Sequence, residues 1–357
     1  MIRSLALNGR KVDLNKISSL KAKTEFESST IDFLNRWLSG QIQFRINTSG
    51  STGKPKTITI TRQQMEASAR ATNTYFGLDE NDTIYLCLNS AFIAGQMMIV
   101  RAMLGKFHLI ADEPSATPKL TNNETPIHFA ALIPMQANNL IDNGILKNIN
   151  GLKAIIIGGA AIDSGLELKL QSINTPAYAT FGMTETVSHI ALRRINGAAN
   201  SEVYETLPGV KIGAKNECLT IKGAITSNIQ ILTTDRVKLV SPTSFKWLGR
   251  IDNVVNSGGI KIQIEEVEHL IEPTIKDLLP NTRFVCSKRR DDKLGEKLVL
   301  VVEGAIKPLQ SEQLLQRTKD LLPRYWAPKE ILSISQFPET VTSKIDRASL
   351  YLSIENT

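Results

Sequence analysis

An α/β fold followed by a small α+β segment is what this sequence predicts, on three observations. Between residues 78 and 195, short runs that are apolar on both faces alternate with helical patterns, the mark of parallel strands joined by crossover helices. From residue 210 to 247 the texture changes to short alternating strands separated by Gly, Asn and Ser-Pro, which reads as a small antiparallel unit. Beyond Gly249-Arg250-Ile251-Asp252 the chain becomes a mixture of basic and acidic strands and helices with apolar runs of its own. The two expected units are therefore residues 1–251 and 252–357.

Each element rests on its own residues. Phe44-Arg45-Ile46 and Ile58-Thr59-Ile60 read as strands flanking a loop. Residues 83–88 form a strand, and residues 94–104, apolar on every face, a buried helix. Phe107-His108-Leu109-Ile110 is a strand, then a loop rich in Pro, Ser, Thr and Asn. Residues 129–133 are a strand and 135–142 a helix. Residues 153–157 are a buried strand running into the Gly158-Gly159 turn. In the second unit, Phe284-Val285-Cys286 and residues 298–302 are strands and 311–322 a helix.

Composition narrows the function. The chain has 357 residues and a net charge of +7 that is spread along it, whereas nucleic-acid binding predicts a concentrated basic stripe. Lys288-Arg289-Arg290 is followed at once by Asp291 and Asp292 and reads as a solvated turn. Cys87, Cys218 and Cys286 lie far apart, which suits a reducing compartment and offers no disulfide framework or metal knuckle. The histidines, His108, His128, His189 and His269, show no ligand spacing. Charged residues interrupt the first sixteen positions and no apolar run is long enough to cross a bilayer. The expectation is a cytoplasmic protein without membrane or nucleic-acid partners.

The densest chemistry is Asn47-Thr48-Ser49-Gly50-Ser51-Thr52-Gly53-Lys54-Pro55-Lys56-Thr57, in which every residue but Asn47 and Pro55 is glycine, hydroxyl-bearing or lysine. Glycines let backbone N–H groups turn toward an anion, hydroxyls add donors and lysines add charge, so the loop suits a polyphosphate. It is not a Walker loop. Only two residues separate Gly50 from Gly53, and Pro55 follows the lysine. No G-x-G-x-x-G follows a strand either.

The loop resembles the T-S-G-S-T-G-x-P-K element of the adenylate-forming superfamily, which includes acyl-CoA synthetases, peptide-synthetase adenylation domains and luciferases; Thr57 replaces its final glycine. Further matches follow in the family's order. Phe181-Gly182-Met183-Thr184-Glu185 resembles Y-G-x-T-E, and Gly158-Gly159-Ala160-Ala161 the G-G-A/E-x turn. Thr233-Thr234-Asp235 stands at T-G-D. The stretch from Gly249 through Gly258 and Gly259 to Glu265-Glu266-Val267-Glu268 resembles the G-R-x-D hinge element, and residues 338–347 resemble L-P-x-T-x-x-G-K-I-x-R, with Ser343 in place of glycine.

The resemblance implies a large adenylation domain, abbreviated at its start because only 46 residues precede the loop, and a small mobile domain. It implies ATP, Mg²⁺ and coenzyme A. Thr48, Ser49, Gly50, Ser51, Thr52, Gly53 and Lys54 would wrap the phosphates. Gly158, Gly159, Ala160, Phe181 and Gly182 would lie against the nucleotide, Asp235 on the ribose hydroxyls, and Arg250 on ribose or phosphate. Thr184 would contact the α-phosphate, Glu185 would hold Mg²⁺, Asp252 would be the pivot, and Lys344 would reach in during adenylation. Phe92, Gly95, Met183, Ser188, His189, Gly258 and Gly259 would line the acyl and coenzyme A pocket.

The 89–95 loop carries no acid, which disfavours an amino-acid substrate. Thr184-Glu185-Thr186-Val187-Ser188-His189 resembles the T-E-T-x-S-Q/H run of o-succinylbenzoate–CoA ligases of menaquinone synthesis, and Leu132-Ile133-Pro134-Met135-Gln136 their L-V-P-T-Q stretch. That substrate carries a second carboxylate, for which Ser188, His189 and the pair Arg193-Arg194 are the nearby donors. Another aryl or fatty acyl-CoA ligase and a non-catalytic nucleotide-binding relative are the competing readings. A homodimer is compatible with each.

Overall fold

The computed structural model describes residues 2–47, 57–120, 126–340 and 345–355. The first strands are Ser4–Leu7 (β1), Arg10–Val12 (β2), Gln43–Asn47 (β3), Thr57–Thr61 (β4), Thr83–Leu86 (β5), His108–Ala111 (β6) and Phe129–Leu132 (β7). Next come Ala154–Ile157 (β8), Ala177–Gly182 (β9), His189–Arg194 (β10), Val203–Thr206 (β11), Lys211–Lys215 (β12), Cys218–Lys222 (β13), Ile231–Ser241 (β14) and Ser244–Arg250 (β15). The last are Val254–Ser257 (β16), Ile260–Gln263 (β17), Phe284–Asp291 (β18), Gly295–Glu303 (β19) and Glu330–Ile334 (β20). The helices are Glu25–Leu38 (α1), Arg62–Tyr75 (α2), Ile93–Gly105 (α3), Pro134–Asp142 (α4), Ile145–Asn148 (α5), Ser164–Leu170 (α6), Ile264–Leu278 (α7), Pro308–Leu321 (α8) and Arg347–Glu355 (α9).

Among the described residues, thirteen strands form one sheet in the order β12-β13-β14-β15-β11-β10-β9-β8-β7-β5-β6-β1-β2. From β1 through β6, β5, β7 and β8 to β9 the pairing is parallel. β5, β7 and β8 are buried along their whole length, as two-face apolar runs require. Beyond β9 every pairing is antiparallel. The antiparallel strands do not form a separate unit: β11 pairs with both β10 and β15 and welds them to the parallel sheet.

Successive residues of a strand serve opposite faces. Ile84 and Leu86 therefore join one apolar cluster, while Tyr85 joins another across the sheet. α1 seals the first face with Phe33 and Trp37, whose rings pack on Phe44 of β3 at 5.5 and 5.7 Å between centroids. α2 begins where Thr61 caps it: its side chain accepts from the Gln64 N–H at 3.2 Å while Gln64 reaches back to the Thr61 N–H at 2.9 Å. α3 packs beside it, with residues 95–103 all buried.

Downstream, β17-β16-β19-β18 form a second sheet, and β20 pairs parallel with β19. Val255, Ile262, Val267, Ile271 and Leu300 fill one face under α7, and Val285, Val299, Val301, Phe337, Leu350 and Ile354 the other under α9. Among the described residues no helix is long and apolar enough to cross a membrane.

Candidate active site

Open parallel sheets take ligands beyond the carboxyl ends of their strands, where the strand order reverses. The reversal here is at β5: the chain passes to β6 on one side and then to β7, β8 and β9 on the other. Three stretches singled out in the sequence emerge at these ends. They are the 87–92 loop after β5, the Gly158-Gly159-Ala160 turn after β8, and Phe181 to Glu185 at the end of β9.

Each stretch is fixed from below. Gly95 presses α3 onto the first loop so closely that a Cβ there would lie 2.5 Å from the Asn89 carbonyl oxygen. The Ser90 hydroxyl points inward, 2.7 Å from those of Ser29 and Thr30, and Phe92 is left 42% exposed. Gly158 leaves no room for a Cβ, which would overlap the Thr180 hydroxyl, and Gly159 turns with φ +87°. Phe181 packs edge-on against Tyr204 and Phe245, with centroids 5.6 and 5.1 Å away. At Gly182 a Cβ would meet the Ser188 carbonyl oxygen at 2.5 Å.

The Met183–Ser188 turn decides which side chains face outward. The Thr186 hydroxyl is consumed locally: it accepts from the Met183 N–H at 3.1 Å and lies 2.9 Å from the Met183 and Ser188 carbonyl oxygens. Thr184 is half-buried, and Glu185 is exposed with no hydrogen-bond or ion-pair partner among the described residues. Thr186 thus closes the turn by itself, and the Glu185 carboxylate takes no part in it. The Val187 backbone sits at φ +69°. For a β-branched residue that costs about 1–3 kcal/mol, and such strain collects at functional sites.

Behind this turn the structure buries a charge that sequence reasoning missed. Arg101 of α3 is 2% exposed. Its Nη2 donates to the Ser188 hydroxyl at 3.1 Å, its Nη1 faces the Met98 sulfur at 3.2 Å, and its buried Nε has no partner among the described residues. No carboxylate bonds to it among the described residues. Burial pushes its pKa down to about 10, so it stays cationic at neutral pH. His189 lies beside it, 3.2 Å from the Thr72 hydroxyl and 3.3 Å from that of Ser188. Burial, with the Arg101 charge, holds His189 far below the usual histidine range and hence neutral. Ser68, Asn73 and Gln96 add further buried polar atoms without partners among the described residues. Arg193 and Arg194 are engaged with other partners. The first pairs with Glu167, and the second bonds to the Asn196 carbonyl at 2.8 Å and to Tyr178 at 3.2 Å.

Asp235 and Arg250 are register partners on β14 and β15. The Asp235 carboxylate accepts from the Trp247 indole at 3.0 Å; burial raises its pKa, opposed by that bond and by the Arg250 charge. Arg250 turns to Asp252, 2.8 Å away in the exposed turn Ile251–Asn253. Gln263 clasps this region, accepting from Arg236 at 2.6 Å and donating to the Arg250 carbonyl at 2.9 Å. A second contact joins α6 to α7: Glu272 accepts from the Ser164 N–H at 3.1 Å, and Lys276 bridges Glu272 and Asp163 at 2.7 and 3.3 Å. Gly258 and Gly259, at φ +59° and +83°, form the turn of the β16–β17 hairpin, the two-residue turn that wants glycine at both positions.

Thr48, Ser49, Gly50, Ser51, Thr52, Gly53, Lys54 and Lys344 lie outside the described residues. The flanks of the glycine-rich loop are described, with Asn47 and Thr57 paired across the β3–β4 hairpin. Among the described residues no three His, Cys, Asp or Glu side chains gather to hold a metal. Magnesium carried in by a triphosphate needs only one or two protein carboxylates, and the unpartnered Glu185 fits that demand.

A nucleotide-dependent enzyme site at the switch point of an α/β sheet is the class these features define. Residues 19–217 match the AMP-binding enzyme family, and the chain belongs to it. It is 24% identical to the 2-succinylbenzoate–CoA ligase of Lactococcus lactis over 96% of this chain and 80% of that one. It spans 65% of the length of a Staphylococcus aureus ligase of the same name, at 28% identity over 85% of this chain. An acyl-CoA synthetase (AMP-forming)/AMP-acid ligase II-like protein from Dyadobacter fermentans is 35% identical, with a TM-score of 0.64, over 96% of this chain and 99% of that one. The fold is also that of o-succinylbenzoate coenzyme A synthetase from Bacillus subtilis in complex with ATP and magnesium ion. There the TM-score is 0.71 at 19% identity, covering 86% of this chain and 69% of that one.

Proposed function

We propose that this chain is an ATP-dependent carboxylate–CoA ligase that works through an acyl adenylate, with 2-succinylbenzoate as the acid, a step of menaquinone biosynthesis. The observation that carries the choice of acid is Arg101. A buried cation without a counter-charge costs several kcal/mol, so its place behind Ser188 calls for an anion delivered by the substrate. A monocarboxylic acid spends its only carboxylate on the nucleotide. A dicarboxylic acid has a second one for Arg101 and the Ser188 hydroxyl. Relatives that bear the ligase name support the same choice.

In the first half-reaction an oxygen of the reacting carboxylate bonds to the α-phosphorus and pyrophosphate leaves. Thr184, half-buried beside the outward Glu185, is the donor at that phosphate, and the glycine-rich loop and Lys344 add charge stabilisation. Magnesium would neutralise phosphate charge, with Glu185 as the residue to hold it. In the second half-reaction the sulfur of coenzyme A bonds to the acyl carbon, AMP leaves with the carboxylate oxygen, and the thiol proton passes to solvent. Both attacks need position more than a base, because a carboxylate is already ionised and a thiol lies near its pKa. Residues 252–357 form the small mobile domain on this reading. Its swing about Asp252 withdraws Lys344 between the half-reactions and must break the Gln263 clasp and the Lys276 bridge.

The test is product formation. Purified protein with ATP, magnesium and coenzyme A is offered 2-succinylbenzoate, benzoate, a fatty acid and an amino acid, and thioesters are read by mass spectrometry. The reading predicts the 2-succinylbenzoyl thioester in clear excess. Excess of another acyl product overturns the choice of acid, and absence of every thioester overturns the ligase.

A further inference from the structure

Trp247 is an expensive residue to leave on a surface. An aromatic of this size has 150–250 Å² to bury, yet it stays 37% exposed on β15. Its indole N–H donates to Asp235 at 3.0 Å, and among the described residues no other side chain or backbone donor bonds to that carboxylate. Arg250, the register partner of Asp235, is turned away to Asp252.

The backbone is arranged to make this contact. Asp235 faces Arg250 and Arg236 faces Gly249, but Val237 faces Trp247, so Leu248 is an extra residue on β15. A bulge of this kind bends a strand and re-aims its side chains. Gly249 allows it, with φ +123° and no room for a Cβ, which would lie 2.5 Å from the Gln263 amide nitrogen. The bulge brings Trp247 within reach of a residue two positions beyond its ladder partner Val237.

We infer that Trp247 is a positioning residue for the nucleotide: it holds one oxygen of Asp235 so that the carboxylate presents its remaining lone pairs to the vicinal hydroxyls of the ribose. This rests on the ribose role of Asp235. A carboxylate free to rotate would have to be ordered by each incoming nucleotide, whereas one already bonded to an indole is pre-ordered. The partial desolvation of Asp235 makes a directed donor more valuable, since burial otherwise favours the protonated form.

The experiment compares ATP with 2′,3′-dideoxy-ATP as substrates for acid-dependent adenylation by the full chain. It uses the unchanged protein, Asp235→Ala and Trp247→Phe, with KM and kcat measured for each. Asp235→Ala should abolish the preference for ATP. Trp247→Phe should shrink that preference about 3- to 10-fold, the effect of one net hydrogen bond, through the KM for ATP and with kcat within about twofold. Trp247→Leu removes the same donor and decides the matter should the phenylalanine variant fail to fold. If Trp247→Phe weakens both nucleotides equally, Trp247 merely supports the sheet and the inference is wrong. An unchanged preference in that variant, with Asp235→Ala still abolishing it, overturns the inference while leaving Asp235 on the ribose. If Asp235→Ala keeps the preference, the ribose role falls and the inference with it.

Discussion

Replacing Arg101 by methionine should raise the stability of the free protein while damaging its reaction with one class of acid. The side chain is 2% exposed, and among the described residues its guanidinium bonds to one hydroxyl and one thioether and to no carboxylate. Methionine is similar in length and wants the apolar company of α3, where residues 95–103 are all buried. Exchanging buried charged groups for apolar residues of like size is often stabilising by about 1–4 kcal/mol, and Arg101 lacks the partner charge that would offset its desolvation. The expected gain is in that range. Losing a hydrogen-bonded charge partner costs about 2–5 kcal/mol, so kcat/KM for 2-succinylbenzoate should fall about 30-fold or more. Benzoate, which has no second carboxylate, should be used no worse than before. Urea unfolding and acid-dependent pyrophosphate exchange read the two effects on the same sample. A variant that is less stable and equally impaired toward both acids would refute the reasoning, because Arg101 would then be holding the fold.

Other residues make simpler claims. Glu185→Ala should leave unfolding unchanged within about 0.5 kcal/mol, as for exposed positions without partners, while raising the magnesium needed for half-maximal activity; an unchanged metal titration refutes its assignment. His189 is held neutral by burial and by Arg101, so His189→Gln should leave the shape of the kcat/KM profile unchanged between pH 6 and 8. A limb that disappears in the variant would show that His189 titrates. Asp346 caps α9, accepting from the Ser349 hydroxyl at 2.8 Å and from the Ala348 and Ser349 N–H groups at 3.1 and 3.2 Å. The Ser349 hydroxyl first, then these N–H groups, hold its pKa below the ordinary aspartate range. Its contribution is therefore present above that range and lost as pH falls through the depressed value. Asp346→Ala should cost about 1 kcal/mol at neutral pH, with the gap to the unchanged protein closing in acid; a gap that persists there contradicts the account.

Much of the fold was legible because its signals are local. Two-face apolar runs gave the parallel strands from β5 to β8, and the buried helix at 94–104 emerged as α3. The joining of β12–β15 to the same sheet was not legible, since it depends on β11 pairing with strands far apart in sequence. At the candidate site, Gly158, Gly159, Thr184 and Glu185 announce themselves by spacing, and they follow directly on the carboxyl ends of β8 and β9. Arg193 and Arg194 misled because sequence proximity to Ser188 says nothing of Glu167 and Tyr178, their actual partners. Arg101 carried a readable signal all the same: a single charge in a helix apolar on every face has nowhere to go but inward.

Activation of a carboxylic acid by ATP is the claim on which the rest stands. It is tested most directly by incubating the purified chain with ATP, magnesium and labelled pyrophosphate, with and without 2-succinylbenzoate. Label entering ATP only when the acid is present is the predicted result. No incorporation with this acid or any other, from protein shown to be folded, would contradict it.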